Sequence, residues 1–227
     1  VHVEVVRAGE VLSFDIIKAE ITVNRVESKM LDDQVGYIAL YEFAGDSFDD
    51  FNAAYKELKS QNMRSLIIDL RDNGGGWVTD GVRVADLFLE KELLFYTENR
   101  EGRQEMTYTT KGSDDIPLTL LVNENSASTT EILSAAMKDY GRARIVGTQT
   151  FGKGIIQVVI GLSDGTSGIQ FTSSQYFTPK GNKVHKVGVE PDVLVEMPEE
   201  LASHYFSLGD LEDPQLKAAY EEALKAA

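Results

Sequence analysis

The chain has 227 residues, of which 42% are hydrophobic and 26% charged, a composition typical of globular proteins. Its formal net charge of −15 disfavours a nucleic-acid partner, because an acidic surface repels phosphate groups. The absence of cysteine excludes disulfides, thiolate metal sites and a cysteine nucleophile, and no apolar run reaches the ~18 residues of a membrane span.

The first 34 residues are predicted to lie outside the main domain. Residues 1–23 contain two alternating apolar runs around "AGE", which predicts a β-hairpin. A lone hairpin is marginal in water, so we expect it to be the end of a domain whose front is missing. The chain begins at Val1 without a signal peptide, which suggests a processed piece. Residues 24–34 are polar and are predicted to be a linker.

Residues 35–227 are predicted to form one α/β core with a mixed sheet. Apolar strand-like runs alternate with helix-like segments as far as "ARIVG", which is typical of βαβ units. Two further strand-like runs follow, "IIQVVIGL" and "GIQFTSSQYFT", and make the sheet mixed. A last helix is predicted in "DPQLKAAYEEALKAA".

Three glycines in "LRDNGGGWV" lie between a buried strand and a helix. Such a turn offers backbone amides to an anion. Three interpretations remain open for Gly75 and its neighbours: a phosphate cradle, an oxyanion-hole donor beside a nucleophile, or an ordinary βα turn.

Ser128 is the candidate nucleophile. It precedes a predicted helix in "LVNENSASTTEI", where S-x-x-E also fits a simple capping box. Free amides and the positive end of the helix dipole would stabilise an oxyanion there. A serine needs a base, but Asp139 lies about 16 Å along the same helix, so a triad with His185 is disfavoured and Asp139 is assigned to structural support.

Lys153 is the alternative base. A lysine can act as a general base when burial lowers its pKa. Lys153 has a setting that favours this, because it lies between apolar neighbours and two glycines. Its stretch, "GTQTFGKG", also has the G-x-x-x-x-G-K spacing of a phosphate-binding loop. Gly154 stands where that loop requires Ser or Thr, and a strand follows instead of a helix, which argues against nucleotide binding. The three histidines show no metal-ligand spacing, so no metal site is predicted.

Together these stretches resemble the carboxyl-terminal processing, or tail-specific, protease family over residues 35–224. The matching motifs are "LIIDLRDNGGGWV", "NSASTTEI", "TFGKGIIQ" and "FTPKGNKVHKVGVEPDV", in the family's order. The resemblance implies a crotonase/Clp-like core with packed helices and a preceding hairpin left from a PDZ domain. It implies a serine endopeptidase with a Ser–Lys dyad that needs no metal or cofactor.

The resemblance also implies roles for single residues. Ser128 is the nucleophile, Lys153 the general base, and Gln157 the residue that orients the lysine. The oxyanion donors would be the amide of Thr129 and that of a turn glycine, the two candidates being Gly75 and Gly76. Gln157 could reach Lys153 only if the chain bends, for which Gly154 is the expected point.

The expected partners are protein or peptide substrates with apolar C-terminal tails. The family is usually exported, so an extracytoplasmic location is expected, although no signal lies in this chain. A homo-oligomer is compatible with the sequence, which leaves the oligomeric state open. The alternative function is a catalytically latent or ligand-binding member of the same fold.

Overall fold

The structure is a computed structural model that describes residues 1–19, 21, 23–32, 34–110, 114–201 and 203–227. The strands in these residues are β1 (His2–Arg7), β2 (Glu10–Asp15), β3 (Val26–Met30), β4 (Val35–Leu40), β5 (Ser65–Asp69), β6 (Leu93–Asn99), β7 (Gln104–Tyr108), β8 (Leu118–Val122), β9 (Ala143–Gly147), β10 (Ile155–Gly161), β11 (Gly168–Phe177) and β12 (Val193–Leu194). The helices are α1 (Ser47–Ser60), α2 (Val78–Ala85), α3 (Thr129–Asp139) and α4 (Pro214–Ala226), with a 3-10 turn at Glu199–Leu201.

The central sheet has the strand order β12-β9-β8-β5-β4-β3. All its strand pairs are parallel except that of β3 with β4. In one row across the sheet, Ile38 faces Ile68, Ile68 faces Leu120, and Leu120 faces Ile145. All four side chains are buried, as expected for strands covered on both faces. The predicted α/β class with a mixed sheet is confirmed.

Two hydrophobic cores lie on opposite faces of this sheet, because side chains alternate along each strand. One core joins the sheet to α1, α2 and α3, with Phe51, Val84 and Ile132 buried in it. The other joins the sheet to α4 through Leu216 and Ala219. The fold is therefore layered, and α3 is held on the face opposite α4.

A second, antiparallel sheet has the order β10-β11-β6-β7 and packs beside the first core. Tyr176 of β11 is buried there, with its ring edge-on to Phe95 at a centroid distance of 6.3 Å. The outer part of the β10–β11 ribbon is exposed, from residue 157 to residue 172. The β10–β11 ribbon therefore contacts the first core only at its end near Tyr176.

The N-terminal segment contains a hairpin of β1 and β2, in antiparallel register from His2 opposite Asp15 to Arg7 opposite Glu10. Most of its side chains are exposed. Its assignment to a PDZ domain stays a prediction. Glu20 and Thr22, in the same predicted segment, lie outside the described residues.

The predicted linker of residues 24–34 is wrong in part, because β3 occupies its middle and forms the edge of the central sheet. Val26 is buried while Glu27 and Ser28 are half-buried, since an edge strand contacts the core with one face only. The polar composition of this segment therefore predicted a linker where an edge strand forms. Asp33 of this segment lies outside the described residues.

A network of buried charges fastens α4 to the central sheet. Arg71 donates to Asp69 at 2.7 Å and to Asp213 at 2.7 Å. Asp213 also caps α4 by accepting from the amides of Gln215 and Leu216. Burial, and then the charge of Asp69, raise the pKa of Tyr37, so its hydroxyl stays protonated and donates to Asp69 at 2.8 Å.

No helix in the described part of the chain is both long and apolar enough to cross a membrane.

The Arg71–Asp213 pair gives a stability prediction. Asp213→Ala removes an ion pair and a helix cap at a residue that is only 3% exposed. We expect the free energy of unfolding to fall by about 3 kcal/mol, since Arg71 retains Asp69. Asp213→Asn keeps a capping oxygen and should cost about 1 kcal/mol less. Urea denaturation measures both.

The matched control for this prediction is Glu212→Ala, one residue earlier and exposed. It should change stability by about 0.5 kcal/mol or less. Equal losses at Asp213 and Glu212 would contradict the role given to the buried network.

Candidate active site

Ser128 lies in a strained turn between β8 and α3. Its φ of 59° and ψ of −117° place a non-glycine residue in a region that side chains rarely occupy. Such strain persists only where surrounding contacts impose it, and it concentrates at functional sites. The side chain is half-buried at the N-terminus of α3, where free amides and the helix dipole favour negative charge.

Two buried side chains hold this turn. Glu131 accepts from the Ser128 amide at 2.9 Å, and Tyr176 donates to the Ser128 carbonyl at 3.1 Å. Burial, together with the charge of Glu131, raises the pKa of Tyr176, so the phenol remains a donor. The backbone on both sides of the Ser128 side chain is therefore fixed.

Glu131 also holds the loop that carries Lys153. This loop joins β9 to β10, and its Gly152 and Lys153 amides donate to the Glu131 carboxylate at 2.7 and 2.8 Å. The Thr150 hydroxyl donates to it as well, at 2.6 Å. Glu131 is fully buried, so these three donors and the Ser128 amide supply the hydrogen bonds that a buried carboxylate needs. One carboxylate thus connects the two candidate reacting residues.

Ser128 and Lys153 line the same open cleft of about 580 Å³. The structure therefore brings together the two residues that the sequence proposed as nucleophile and base. The cleft is lined by Val23, Asn24, Arg25, Tyr41, Glu42, Asp72, Gly74, Gly75, Gly76, Ser128 and Lys153.

The glycine turn packs directly on Ser128. Gly75 has φ 96°, and a Cβ on it would lie 2.8 Å from the Ser128 Cβ and 2.9 Å from the Thr129 nitrogen. Gly76 has φ 133°, and a Cβ on it would lie 2.1 Å from the Phe43 carbonyl oxygen. Only glycine fits either position, so the backbone of this turn approaches the site as closely as an oxyanion donor must.

The amides of this turn are not equivalent. The Gly75 amide donates to the Asn73 side chain at 2.9 Å, so it is already engaged. Neither the Gly76 amide nor that of Thr129 donates to any acceptor among the described residues. Of the two glycines that the sequence could not separate, Gly76 keeps its amide available.

Asn73 fixes this turn relative to α3. It is fully buried, and its carbonyl accepts from the Ala127 amide and the Thr130 hydroxyl, both at 3.0 Å. Its side chain donates to the Leu40 carbonyl at 2.8 Å. The glycine turn and the serine turn are therefore one hydrogen-bonded unit.

Gln157 is not brought to Lys153 in this structure. It lies exposed on β10, and its side-chain oxygen accepts from Gln170 at 3.3 Å. The irregularity in β10 falls between Ile156 and Gln157, not at the expected Gly154. Gly154 is instead needed for close packing, since a Cβ there would lie 2.3 Å from the backbone nitrogen of His185.

Asp139 lies at the far end of α3 and makes structural contacts. It accepts from the Thr178 hydroxyl and from the Lys180 amide at 2.8 Å, which ties the turn after β11 to the helix. His185 packs against Gly154, and its buried Nδ1 has no partner within the described residues. The supporting role given to Asp139 from the sequence stays a prediction.

Sequence reasoning missed the roles of Glu131, Tyr176 and Asn73. The S-x-x-E pattern did mark Glu131, but only as a helix cap. Its contact with Gly152 spans 21 residues, and no local pattern indicates such a contact. Among the described residues, no group of three or more His, Asp or Glu side chains is arranged to hold a metal ion.

Comparison with known proteins gives a family match for most of the chain. The family model described as "Peptidase family S41" matches residues 34–195. A carboxyl-terminal-processing protease of Synechocystis is 38% identical over 206 residues, which cover 87% of this chain and 48% of that protein. The carboxy-terminal processing protease CtpB of Bacillus subtilis is 34% identical over 206 residues, 88% of this chain and 42% of CtpB.

A solved structure shows the same fold. The photosystem II D1 C-terminal processing protease matches with a TM-score of 0.74 and 32% identity, over 89% of this chain and 54% of that one. This chain therefore spans about half the length of the relatives that it matches.

The Glu131 bridge yields a second stability prediction. Glu131→Gln places an amide NH2 against at least one backbone N–H, so the free energy of unfolding should fall by about 2–4 kcal/mol. Urea denaturation, followed by the fluorescence of the single tryptophan, Trp77, beside the glycine turn, measures the loss.

The same chemical change at an exposed site serves as the control. Glu196→Gln should alter stability by about 0.5 kcal/mol or less, because Glu196 is exposed. If Glu131→Gln were as well tolerated, the buried carboxylate would not be what holds the two loops.

Proposed function

This chain belongs to peptidase family S41, and we propose that it forms the catalytic core of a serine endopeptidase that cleaves proteins near their C-termini. Ser128 would be the nucleophile and Lys153 the general base. The observation that supports this most directly is that both side chains line one cleft and that one buried carboxylate, Glu131, braces both of their loops.

In the first step the Ser128 oxygen attacks the carbonyl carbon of the scissile peptide bond. Neutral Lys153 accepts the hydroxyl proton as the new C–O bond forms. The carbonyl oxygen becomes an anion in the tetrahedral intermediate. The amides of Thr129 and Gly76 would donate to that anion, since neither has another acceptor in the described residues.

In the next step the C–N bond breaks and Lys153 returns the proton to the leaving amine. This leaves the N-terminal part of the substrate as an ester on Ser128. Lys153, neutral again, takes a proton from a water molecule, which attacks the ester carbon. The bond from that carbon to the Ser128 oxygen then breaks, Lys153 gives its proton to the Ser128 oxygen, and the product acid leaves. Each proton transfer in this sequence uses Lys153, so no further titratable group is required.

The strain at Ser128 fits this role. A residue held at φ 59° projects from the turn instead of continuing the helix. Glu131 and Tyr176 fix the amide and the carbonyl of Ser128, so the turn need not reorganise during the reaction. Preorganisation of this kind is a main source of rate acceleration in enzymes.

A latent form of the same enzyme is the second candidate. The family role of Gln157 is to orient the lysine, yet here its side chain contacts Gln170. A rearrangement of the start of β10 would be needed before Gln157 could reach Lys153. This interpretation keeps the chemistry and adds an activation step.

The substrates proposed for the whole protein are polypeptides with apolar C-terminal tails, and the proposed location is extracytoplasmic. The support is the family itself, whose members named above are carboxyl-terminal processing proteases. A complete PDZ domain in the parent protein is part of the same proposal, with the β1–β2 hairpin as its last element.

The dyad is tested with an unfolded reporter protein that carries an apolar C-terminal tail. Ser128→Ala and Lys153→Ala should each lower kcat/KM by about 10³-fold or more, because they remove the nucleophile and its base. Lys56→Ala, at an exposed position of α1, is the matched control and should cleave like the parent. Equal cleavage by all four proteins would rule out the dyad.

The base is tested by the pH profile of kcat/KM for the same reporter. Only a neutral amine can accept the serine proton, so kcat/KM should rise toward alkaline pH if a lysine is the base. A profile that stays flat from weakly acidic to alkaline pH would exclude lysine as the base. Unfolding followed at each pH separates this effect from loss of structure.

A further inference from the structure

A second cavity, of about 610 Å³, opens where the parallel strands β4, β5 and β8 end. Its volume lies in the range of about 300–1,000 Å³ found for ligand sites. The carboxyl ends of parallel strands are also where ligands usually bind in α/β folds. Met197, Leu201 and residues 204–209 also line it.

This cavity adjoins the catalytic cleft. Tyr41 and Asp72 line both spaces, so the cleft and the cavity meet at these two residues. A polypeptide held with its scissile bond at Ser128 would reach the second cavity by extending past Asp72. The cleft and the cavity together are the candidate groove for an extended chain.

Asp72 is held in a fixed orientation at this junction. Its φ is 59°, and one carboxylate oxygen accepts from the side-chain amides of Asn123 at 2.9 Å and Asn125 at 2.8 Å. Its backbone amide donates back to Asn123 at 2.9 Å. The other carboxylate oxygen has no partner within the described residues, and the side chain is exposed. Asp72 therefore presents a preorganised acceptor to the groove.

The cavity has an excess of negative charge that its own residues do not neutralise. Among the described residues that line it, Arg71 is the only arginine or lysine, and it is already bound to Asp69 and Asp213. The nearby Lys29 donates to the carbonyl of Leu208, a lining residue. Three further lining carboxylates form no ion pair within the described residues. They are those of Glu27, Asp72 and Glu124.

Two tyrosines also line the cavity. Tyr205 is 87% exposed and Tyr41 is 44% exposed, so both rings are accessible to a ligand. The Tyr41 hydroxyl donates to Glu27, which orients that ring beside a carboxylate. An aromatic face next to carboxylates attracts a cation with an apolar stem.

We propose that this cavity is a substrate subsite for a lysine or arginine side chain of the polypeptide being cleaved, on one side of the scissile bond. The inference rests on the proposed function, since it names the substrate that the same groove prefers. A free C-terminal carboxylate is excluded from this cavity by its charge. The protein therefore selects substrates by a basic residue as well as by their tails.

The test uses internally quenched peptides with an apolar tail that differ at one position, which carries lysine, norleucine or glutamate. Moving this position along the peptide locates the subsite. At one position lysine should raise kcat/KM about 5-fold over norleucine, and glutamate should lower it. The preference should shrink when salt is raised from about 0.1 M to about 1 M, because exposed charges are then screened.

Variants of cavity residues test whether the preference for lysine arises in this cavity. Glu27→Gln and Tyr205→Ala should each move the lysine-to-norleucine ratio of kcat/KM toward one. Glu105→Gln, an exposed glutamate on the second sheet, is the matched control and should keep the parent's ratio. A ratio near one at every position in the parent protein, with all peptides cleaved, overturns the subsite and leaves the protease proposal intact.

Binding separates the two proposals if no peptide is cleaved. With Ser128→Ala, fluorescence anisotropy of the same labelled peptides measures affinity alone. Tighter binding of the lysine peptide, lost in the double variant with Glu27→Gln, supports the cavity while the proposed cleavage fails. Equal affinity for the lysine, norleucine and glutamate peptides overturns the subsite.

Discussion

The buried carboxylate of Glu131 is the contact on which the site depends. It accepts four hydrogen bonds, from the Ser128, Gly152 and Lys153 amides and from the Thr150 hydroxyl. A fully buried carboxylate without such donors would be strongly destabilising, so the fold requires both loops to close around it. Folding of the core therefore also fixes the Ser128 turn and the Lys153 loop relative to each other.

The other half of the site depends on close backbone approach. Asn73 connects the glycine turn to the start of α3, and Gly75 then lies against Ser128 with no room for a side chain. The hydrogen bonds of Asn73 hold this turn, and among the described residues they leave the Gly76 amide without an acceptor.

Much of the fold was predictable because it is encoded locally. Apolar runs identified β4, β5, β8 and β9 of the central sheet, and helix-like segments identified α1 and α3. The polar edge strand β3 was missed because an edge strand buries one face only. Gln157 was expected to reach Lys153 from its motif position, but the register of β10 with β11 turns it toward Gln170.

The sequence by itself determined the class of the fold, the two candidate reacting residues and the glycine turn beside them, because each depends on local pattern or on a motif. Only the tertiary structure decided that Glu131 joins the Ser128 and Lys153 loops and that Gly76, not Gly75, keeps a free amide. It also decided that an acidic cavity adjoins the cleft at Tyr41 and Asp72. These features depend on contacts between residues far apart in the chain, and such contacts exist only after the sheet has assembled.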